Sequence, residues 1–230
     1  MQQYGLIGHP LGHSFSAAFF AEKFAREHID ARYENFDLAE VNDLRDWVSA
    51  HPELVGFNVT IPHKQTIVAQ LDALSPAATE VGAVNVVRCV RSAEGKVRLL
   101  GDNSDCVGFT ESLRPLLRPD IQHALVLGTG GASRAVVVAL RHLGISPTYV
   151  SRYAKSEGVK VGGQSVSVLT YDELTPEVMK SHLRWGCIRW YKLHHRYLMH
   201  NSPPPIFCMI WSTIHYKRNL CNSVLLKEQL

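Results

Sequence analysis

Short apolar runs and helix-spaced apolar positions alternate along the first hundred residues. Tyr4 to Ile7 reads as a strand, Phe15 to Ala25 as a helix with apolar residues at helical spacing, and Tyr33 to Phe36 as a second strand. A helical pattern resumes from Asp37 to Ser49. Val55 to Thr60 is a strand that stops before Pro62, whose missing amide hydrogen and fixed φ suit the start of a short helix. Ala83 to Val90 reads as a further strand. Strands and helices alternating in this way predict a parallel α/β sheet.

A second unit begins near Gln122. His123-Ala124-Leu125-Val126-Leu127 has the character of a buried strand, and Gly128-Thr129-Gly130-Gly131-Ala132-Ser133 follows it. Arg134 to Leu143 makes an apolar helix, and Thr148-Tyr149-Val150 the next strand. The segment from Cys106 to Arg118 is expected to be the helix linking the two units. No internal repeat or low-complexity stretch interrupts the pattern.

Composition narrows the class. A chain of 230 residues holds one large or two small domains, and 46% hydrophobic with 20% charged residues fits a globular protein with a real core. No apolar run is long enough to span a bilayer, and Met1-Gln2-Gln3-Tyr4 carries no basic region of a secretory signal. Five irregularly spaced cysteines argue against a disulfide framework and fit a reducing cytoplasm. The net charge of +3 is uneven: residues 1–180 hold 17 basic and 20 acidic side chains, whereas residues 181–230 hold 7 and 1. Three of four tryptophans and three of five cysteines also fall after residue 180.

The glycine loop is the first candidate for chemistry. Glycines between a strand and a helix let backbone amides approach a pyrophosphate, and the helix N-terminus favours the anion. Here Gly128 and Gly130 have the spacing, with Gly131, Ala132 and then Ser133 in place of the third glycine. A tight strand-to-helix turn with no ligand is the competing reading. An NAD site expects a carboxylate about 20 residues beyond the first glycine. This chain instead has Ser151-Arg152, with Lys155 close behind. A guanidinium binds the 2′-phosphate that a carboxylate would repel, so NADP is favoured over NAD, unless Arg152 is simply a solvated surface residue.

Four polar clusters sit at strand ends in the N-terminal half. They are His13-Ser14-Phe15-Ser16, the Asn58-Val59-Thr60-Ile61-Pro62-His63-Lys64 turn, Gly82-Ala83-Val84-Asn85, and Gly101-Asp102-Asn103-Ser104-Asp105. Each alone is most simply a cap or a turn. Together they supply hydroxyl, amide, amine and carboxylate groups, a set that suits a polyhydroxylated anionic ligand. Lys64 and Asp105 stand out, because oxidising an alcohol by hydride transfer needs a group to take the hydroxyl proton. An ordinary surface salt bridge between them is the alternative.

These residues resemble the shikimate dehydrogenases. Ser14-x-Ser16, Asn58-Val59-Thr60-x-Pro62-x-Lys64, Gly82-Ala83-x-Asn85 and Asn103-Ser104-Asp105-x-x-Gly108 have that family's order and spacing, and the glycine loop and Ser151-Arg152 follow. The resemblance covers about residues 1–180. It implies an α/β protein with an N-terminal substrate-binding and catalytic domain, residues 1–105, followed by a Rossmann-type NADP-binding domain, residues 106–180, that is incomplete. It further implies reversible NADPH-dependent reduction of 3-dehydroshikimate to shikimate, in the chorismate route to aromatic amino acids. Lys64 and Asp105 would be the catalytic pair, and Ser14, Ser16, Asn58, Thr60 and Asn85 would hold the substrate. Gly128, Gly130, Gly131, Ala132, Ser133, Ser151 and Arg152 would hold NADP. No metal, nucleic acid or membrane is implied, and the chain would be a cytoplasmic monomer or homodimer. An NAD-using quinate/shikimate dehydrogenase and an inactive remnant are the alternatives. Ala17, Ala21, Val86 and Ser104 depart mildly from the family pattern without removing a named chemical group.

Residues 181–230 do not continue the resemblance. Read two bases later, the codons of Phe207 to Ile214 permit Leu-Tyr-Asp-Leu-Val-Tyr-Asn-Pro, a stretch the family carries in this region. The same shift on Leu183 to Arg189 permits Pro-Leu-Gly-Met-Tyr-Pro. Two family stretches recovered in one frame, in order, lead us to expect that this tail is out-of-frame translation beginning near His182. It is expected to pack poorly, leaving the chain unstable and with little or no activity. Its histidines and cysteines match no zinc spacing. Its basic character could also suit nucleic acid. Sequencing the locus tests the frame: one uninterrupted frame, with this tail confirmed by intact mass, ends the idea.

Overall fold

The structure is a computed structural model that describes residues 1–12, 15–153, 156–175, 178 and 183–186, the last four by backbone alone. The chain forms two compact units, Met1–Ser104 and a second that starts at Asp105. The division falls one residue before the expected boundary.

The first unit runs β1 (Gln2–Gly8), α1 (Phe15–Arg26), β2 (Ala31–Asp37), α2 (Leu44–Ser49), β3 (Leu54–Val59), β4 (Ala73–Leu74), α3 (Pro76–Val81), β5 (Val86–Arg91) and β6 (Val97–Asp102). Its six strands lie in the order β2-β1-β3-β5-β6-β4. The β1–β2 and β1–β3 pairs are parallel, but β3–β5 and β5–β6 are antiparallel. The sheet is therefore mixed rather than parallel. One of the reversals is local: Ser92 donates its amide hydrogen to Lys96 O and Gly95, at φ 78°, donates to Ser92 O, closing β5 onto β6 as a hairpin. A hairpin reverses the chain without a crossover helix.

Side-chain alternation buries both faces of this sheet. Ile7, Phe57, Val59 and Val87 point into one core with Leu44 and Val48 of α2 and with Ile67. Leu6 and Tyr33 point the other way, under Phe20 and Phe24 of α1. The Phe20 and Tyr33 rings stack with centroids 4.5 Å apart at 14°, a geometry worth about 0.5–1.5 kcal/mol beyond area burial. The expected helix over Asp37 to Ser49 is confined to α2. Val41 is buried in the core and the Leu38 amide donates to Gly8 O, so their helix-like spacing serves a packed turn. After Pro62 the first helical turn comes later than expected, as a 3-10 helix over Thr66–Gln70.

The second unit contains α4 (Ser104–Leu113, whose first residue closes the first unit), β7 (His123–Leu127), α5 (Gly131–His142), β8 (Ser146–Ser151), a small hairpin of β9 (Val159–Val161) and β10 (Gln164–Val166), β11 (Val168–Thr170) and β12 (Leu183–Gly186). Its four-stranded sheet has the order β11-β8-β7-β12, every pair parallel. α5 packs on it through Ala135 to Leu140, all buried. Where a second crossover helix would separate β8 from β11, the β9–β10 hairpin stands instead, tied to α5 by Arg141, which donates to Val161 O at 2.7 Å. Of residues 181–230 the structure describes only β12. Leu183–Gly186 pairs residue for residue with Ala124–Leu127, because ladder hydrogen bonds use backbone groups that every residue but proline carries in full. The remainder of residues 181–230 lies outside the described residues.

Candidate functional site

In the first unit Asn58, Thr60 and Asn85, three of the expected ligand-binding residues, lie together near the ends of β1 and β3. Parallel strands deliver their following loops to one edge of a sheet, where ligands of α/β proteins bind. Asn58 is the next-to-last residue of β3, on the face covered by α1. Its Oδ1 accepts from the Tyr33 hydroxyl at 2.9 Å, and its Nδ2 donates to Asn85 O at 3.3 Å. Thr60 follows the strand, with its amide bound to Ile7 O at 2.8 Å. Its methyl group occupies the space a side chain at position 8 would need, so Gly8 is required for the close approach of β1 to this turn.

Lys64 comes four residues later and is half-buried. Its carbonyl accepts from Val84 N at 2.7 Å, joining the turn to the segment that leads through Asn85 into β5. The neighbouring His63 is buried, and its Nε2 lies 2.6 Å from Leu38 O. A carbonyl can only accept, so Nε2 carries a hydrogen. Asn85 is 8% exposed: Oδ1 accepts from Ser104 N at 2.9 Å and Nδ2 donates to Ser104 Oγ at 3.0 Å. Ser104 is the residue before Asp105, which sits in the first turn of α4, where a carboxylate complements the helix dipole. Buried Asn103 donates to Ala83 O at 2.9 Å, and Ser75 Oγ donates to Asp102 Oδ1.

Ser16 is the second residue of α1 and half-buried; Ser14 lies outside the described residues. The loop before α1 is held at two points by Asp37. Its Oδ1 is 2.6 Å from His9 Nδ1, and its Oδ2 accepts from Leu11 N at 3.0 Å. The Leu11 amide, and after it His9, hold the Asp37 carboxyl below the ordinary carboxylate range.

The structure thus brings Asn58, Thr60, Asn85 and the backbone of Lys64 together within one unit. Asp105 belongs to the other. Tyr33, His63 and Asp37 carry site interactions and were not singled out from sequence. Their partners are 25 to 28 residues away along the chain, and no local pattern marks such links.

In the second unit Gly128 has φ 87°, a left-handed conformation that favours glycine, and its amide donates to Val150 O at 2.8 Å. Gly130 is the extended N-cap of α5 and makes no side-chain cap bond. Gly131, Ala132 and Ser133 form the first helical turn, so their amide hydrogens have no partner within the helix and face the side where an anion is favoured. Ser133 is 1% exposed, and its Oγ has no hydrogen-bond partner among the described residues. Its small side chain therefore fills the role of the third glycine, close helix-to-sheet packing. Ser151 ends β8, and its Oγ accepts from Tyr153 N at 3.4 Å. Arg152 is exposed, with its guanidinium carbon 5.8 Å from the Tyr153 ring centroid. Lys155 lies outside the described residues. Among the described residues no group of three or more His, Cys, Asp or Glu side chains could hold a metal ion, and no helix is long and apolar enough to cross a membrane.

A parallel sheet in the order third-second-first-fourth, with a glycine loop after the first strand and an uncapped helix behind it, defines the second unit as Rossmann-type. The family's model for the shikimate dehydrogenase substrate binding domain matches residues 6–87. The chain is 39% identical over 148 residues to the shikimate dehydrogenase (NADP(+)) of Bacillus cereus strain B4264, an alignment spanning 63% of this chain and 51% of that protein. It is similar to the crystal structure of shikimate dehydrogenase from Aquifex aeolicus, at 30% identity and a TM-score of 0.69, covering 90% of this chain and 73% of that one. It also matches the Thermus thermophilus shikimate 5-dehydrogenase solved in complex with NADP(H) and shikimate, at 37% identity and a TM-score of 0.57, covering 66% and 56%. The chain belongs to the shikimate dehydrogenase family. It spans about half the length of the first curated relatives it matches.

Proposed function

We propose that the chain is a shikimate dehydrogenase that interconverts 3-dehydroshikimate and shikimate with NADP. The observation that carries this reading is the linked amide pair of the first unit, Asn58 and Asn85, with Thr60 and Lys64 following on the same turn. Shikimate presents ring hydroxyls and a carboxylate, and this cluster offers amide, hydroxyl and ammonium groups to match. Ser14, Ser16, Asn58, Thr60 and Asn85 hold the substrate in this reading. Lys64 gives its proton to the oxygen of the carbonyl being reduced and takes it back in the reverse direction, and Asp105 keeps the amine in place.

The second unit fits the nucleotide. Gly128, Gly130 and the open first turn of α5 suit a pyrophosphate, and Ser151 and Arg152 suit a 2′-phosphate. NADPH, when bound, supplies the hydride. The Thermus thermophilus relative carries both NADP(H) and shikimate, which supports assigning the two ligands to one chain. The test is oxidation of NADPH on addition of 3-dehydroshikimate by a version of the chain whose reading frame is restored after His182, repeated with NADH. Substrate-dependent loss of NADPH absorbance, faster than with NADH, is expected; faster use of NADH favours the quinate/shikimate alternative.

A second reading follows from residues 181–230. If they are out of frame, the chain as written binds shikimate and does not turn it over. Saturable shikimate binding without NADPH oxidation supports that reading, and a chain with neither property contradicts both.

A further inference from the structure

We propose that Tyr33 is a positioning residue for shikimate, fixing the Asn58 amide so that Asn58 meets the ligand as a hydrogen-bond donor. This rests on the substrate reading above and deepens it. Tyr33 sits on β2, 8% exposed, with its ring stacked on Phe20 of α1. Its hydroxyl reaches across the sheet to Asn58 Oδ1 at 2.9 Å.

The chemistry of the partners settles which end of the amide is which. The atom 3.3 Å from Asn85 O must be Nδ2, because a carbonyl only accepts. The other end is then Oδ1, and the Tyr33 hydroxyl must be donating to it. Nδ2 carries two hydrogens and Asn85 takes one; the second has no partner among the described residues and is the group left for the ligand. Asn58 is half-buried at the end of β3. Its amide therefore addresses an oxygen acceptor of the ligand, a hydroxyl or a carboxylate. Without the Tyr33 hydroxyl, Oδ1 loses its buried donor, and the amide is free to turn its acceptor end toward the same ligand oxygen.

The test uses the full chain and shikimate itself, titrated calorimetrically at a temperature well below the unfolding midpoint of every variant. Tyr33→Phe keeps the ring stack and removes one oxygen. It is expected to weaken shikimate about tenfold, the size of one lost net hydrogen bond, with the unfolding curve still cooperative. Asn58→Ala should weaken it as well, and Tyr33→Phe placed on top of Asn58→Ala should cost nothing further. A Tyr33→Phe variant that binds shikimate like the unchanged chain overturns the proposal, and so do losses that add in the double variant. Absence of binding by the unchanged chain instead defeats the substrate reading beneath it. Should Tyr33→Phe fail to fold, the side-chain amide resonances of Asn58 in the unchanged chain decide. Two separate, shikimate-shifted hydrogen signals support a fixed donor; unshifted signals contradict it.

Discussion

The two units build their candidate sites in opposite ways. In the first, side chains hold other side chains: Tyr33 fixes Asn58, Asn85 clasps Ser104, and Asp37 pins the loop ahead of α1 through His9 and Leu11. In the second, the glycine loop offers backbone. Gly128 takes a left-handed conformation, Gly130 leaves α5 without a side-chain cap, and the first-turn amides have no partner within the helix. A ring with hydroxyls on defined faces demands donors and acceptors at fixed positions. A pyrophosphate is satisfied by any set of convergent amide hydrogens. The substrate side should therefore fail by loss of polar side chains, and the nucleotide side by gain of a Cβ.

Four substitutions or conditions can break or sharpen that contrast. The largest effect is expected for Lys64→Ala in a version whose reading frame is restored after His182. Turnover should fall on the order of 10²–10⁴-fold while shikimate binding is largely kept, which places the amine in proton transfer. Comparing kcat with the shikimate dissociation constant checks it, and loss of binding in step with turnover would make Lys64 a binding group instead.

Gly128→Val comes next. At φ 87° a branched side chain costs on the order of 1–3 kcal/mol of strain. Affinity for 2′,5′-ADP should drop sharply, with shikimate affinity unchanged. Equal loss of both ligands in calorimetry would merge the two sites into one.

Asn85→Ala strips the side-chain bonds to Ser104 and leaves that buried corner short of partners. About 1–3 kcal/mol of stability should be lost, together with shikimate affinity. Urea unfolding measures the first and calorimetry the second.

The smallest effect is acid sensitivity. Asp37 is held low by the Leu11 amide and then His9, and Asp72 by the Leu99 amide and then Arg45. Their folded-state pKa values lie below the unfolded value of about 3.9. The stability they contribute is present above that pH and is lost as pH falls through the folded values. Asp37 is half exposed, so solvent screens much of its share. Thermal midpoints should fall more steeply below about pH 4 in the unchanged chain than in Asp72→Asn.

The parts of the fold written in local pattern were legible. The span His123–Leu127 read from the sequence coincides with β7, and the helix after the glycine loop differs only at its ends, because a five-residue apolar strand running into a glycine turn has few alternative conformations. β6 was not legible. Val97 to Asp102 ends in glycine and aspartate and buries Leu99 and Gly101, so its strand character comes from pairing with β5 rather than from its own composition. The antiparallel turn at Ser92–Lys96 likewise reversed a sheet that element order alone made parallel. At the candidate site Asn58, Thr60 and Asn85 were visible as polar groups near strand ends. The residues that hold them were not, because Tyr33 looks like any half-buried strand aromatic until Asn58 is brought beside it.

A single measurement tests the division of labour directly: amide chemical-shift mapping of the full chain with shikimate and, separately, with 2′,5′-ADP. The account predicts that shikimate moves signals at Asn58, Thr60, Lys64 and Asn85, whereas 2′,5′-ADP moves Gly128, Gly130 and Arg152. Shikimate perturbing the glycine loop and leaving the Asn58–Asn85 corner untouched would contradict it.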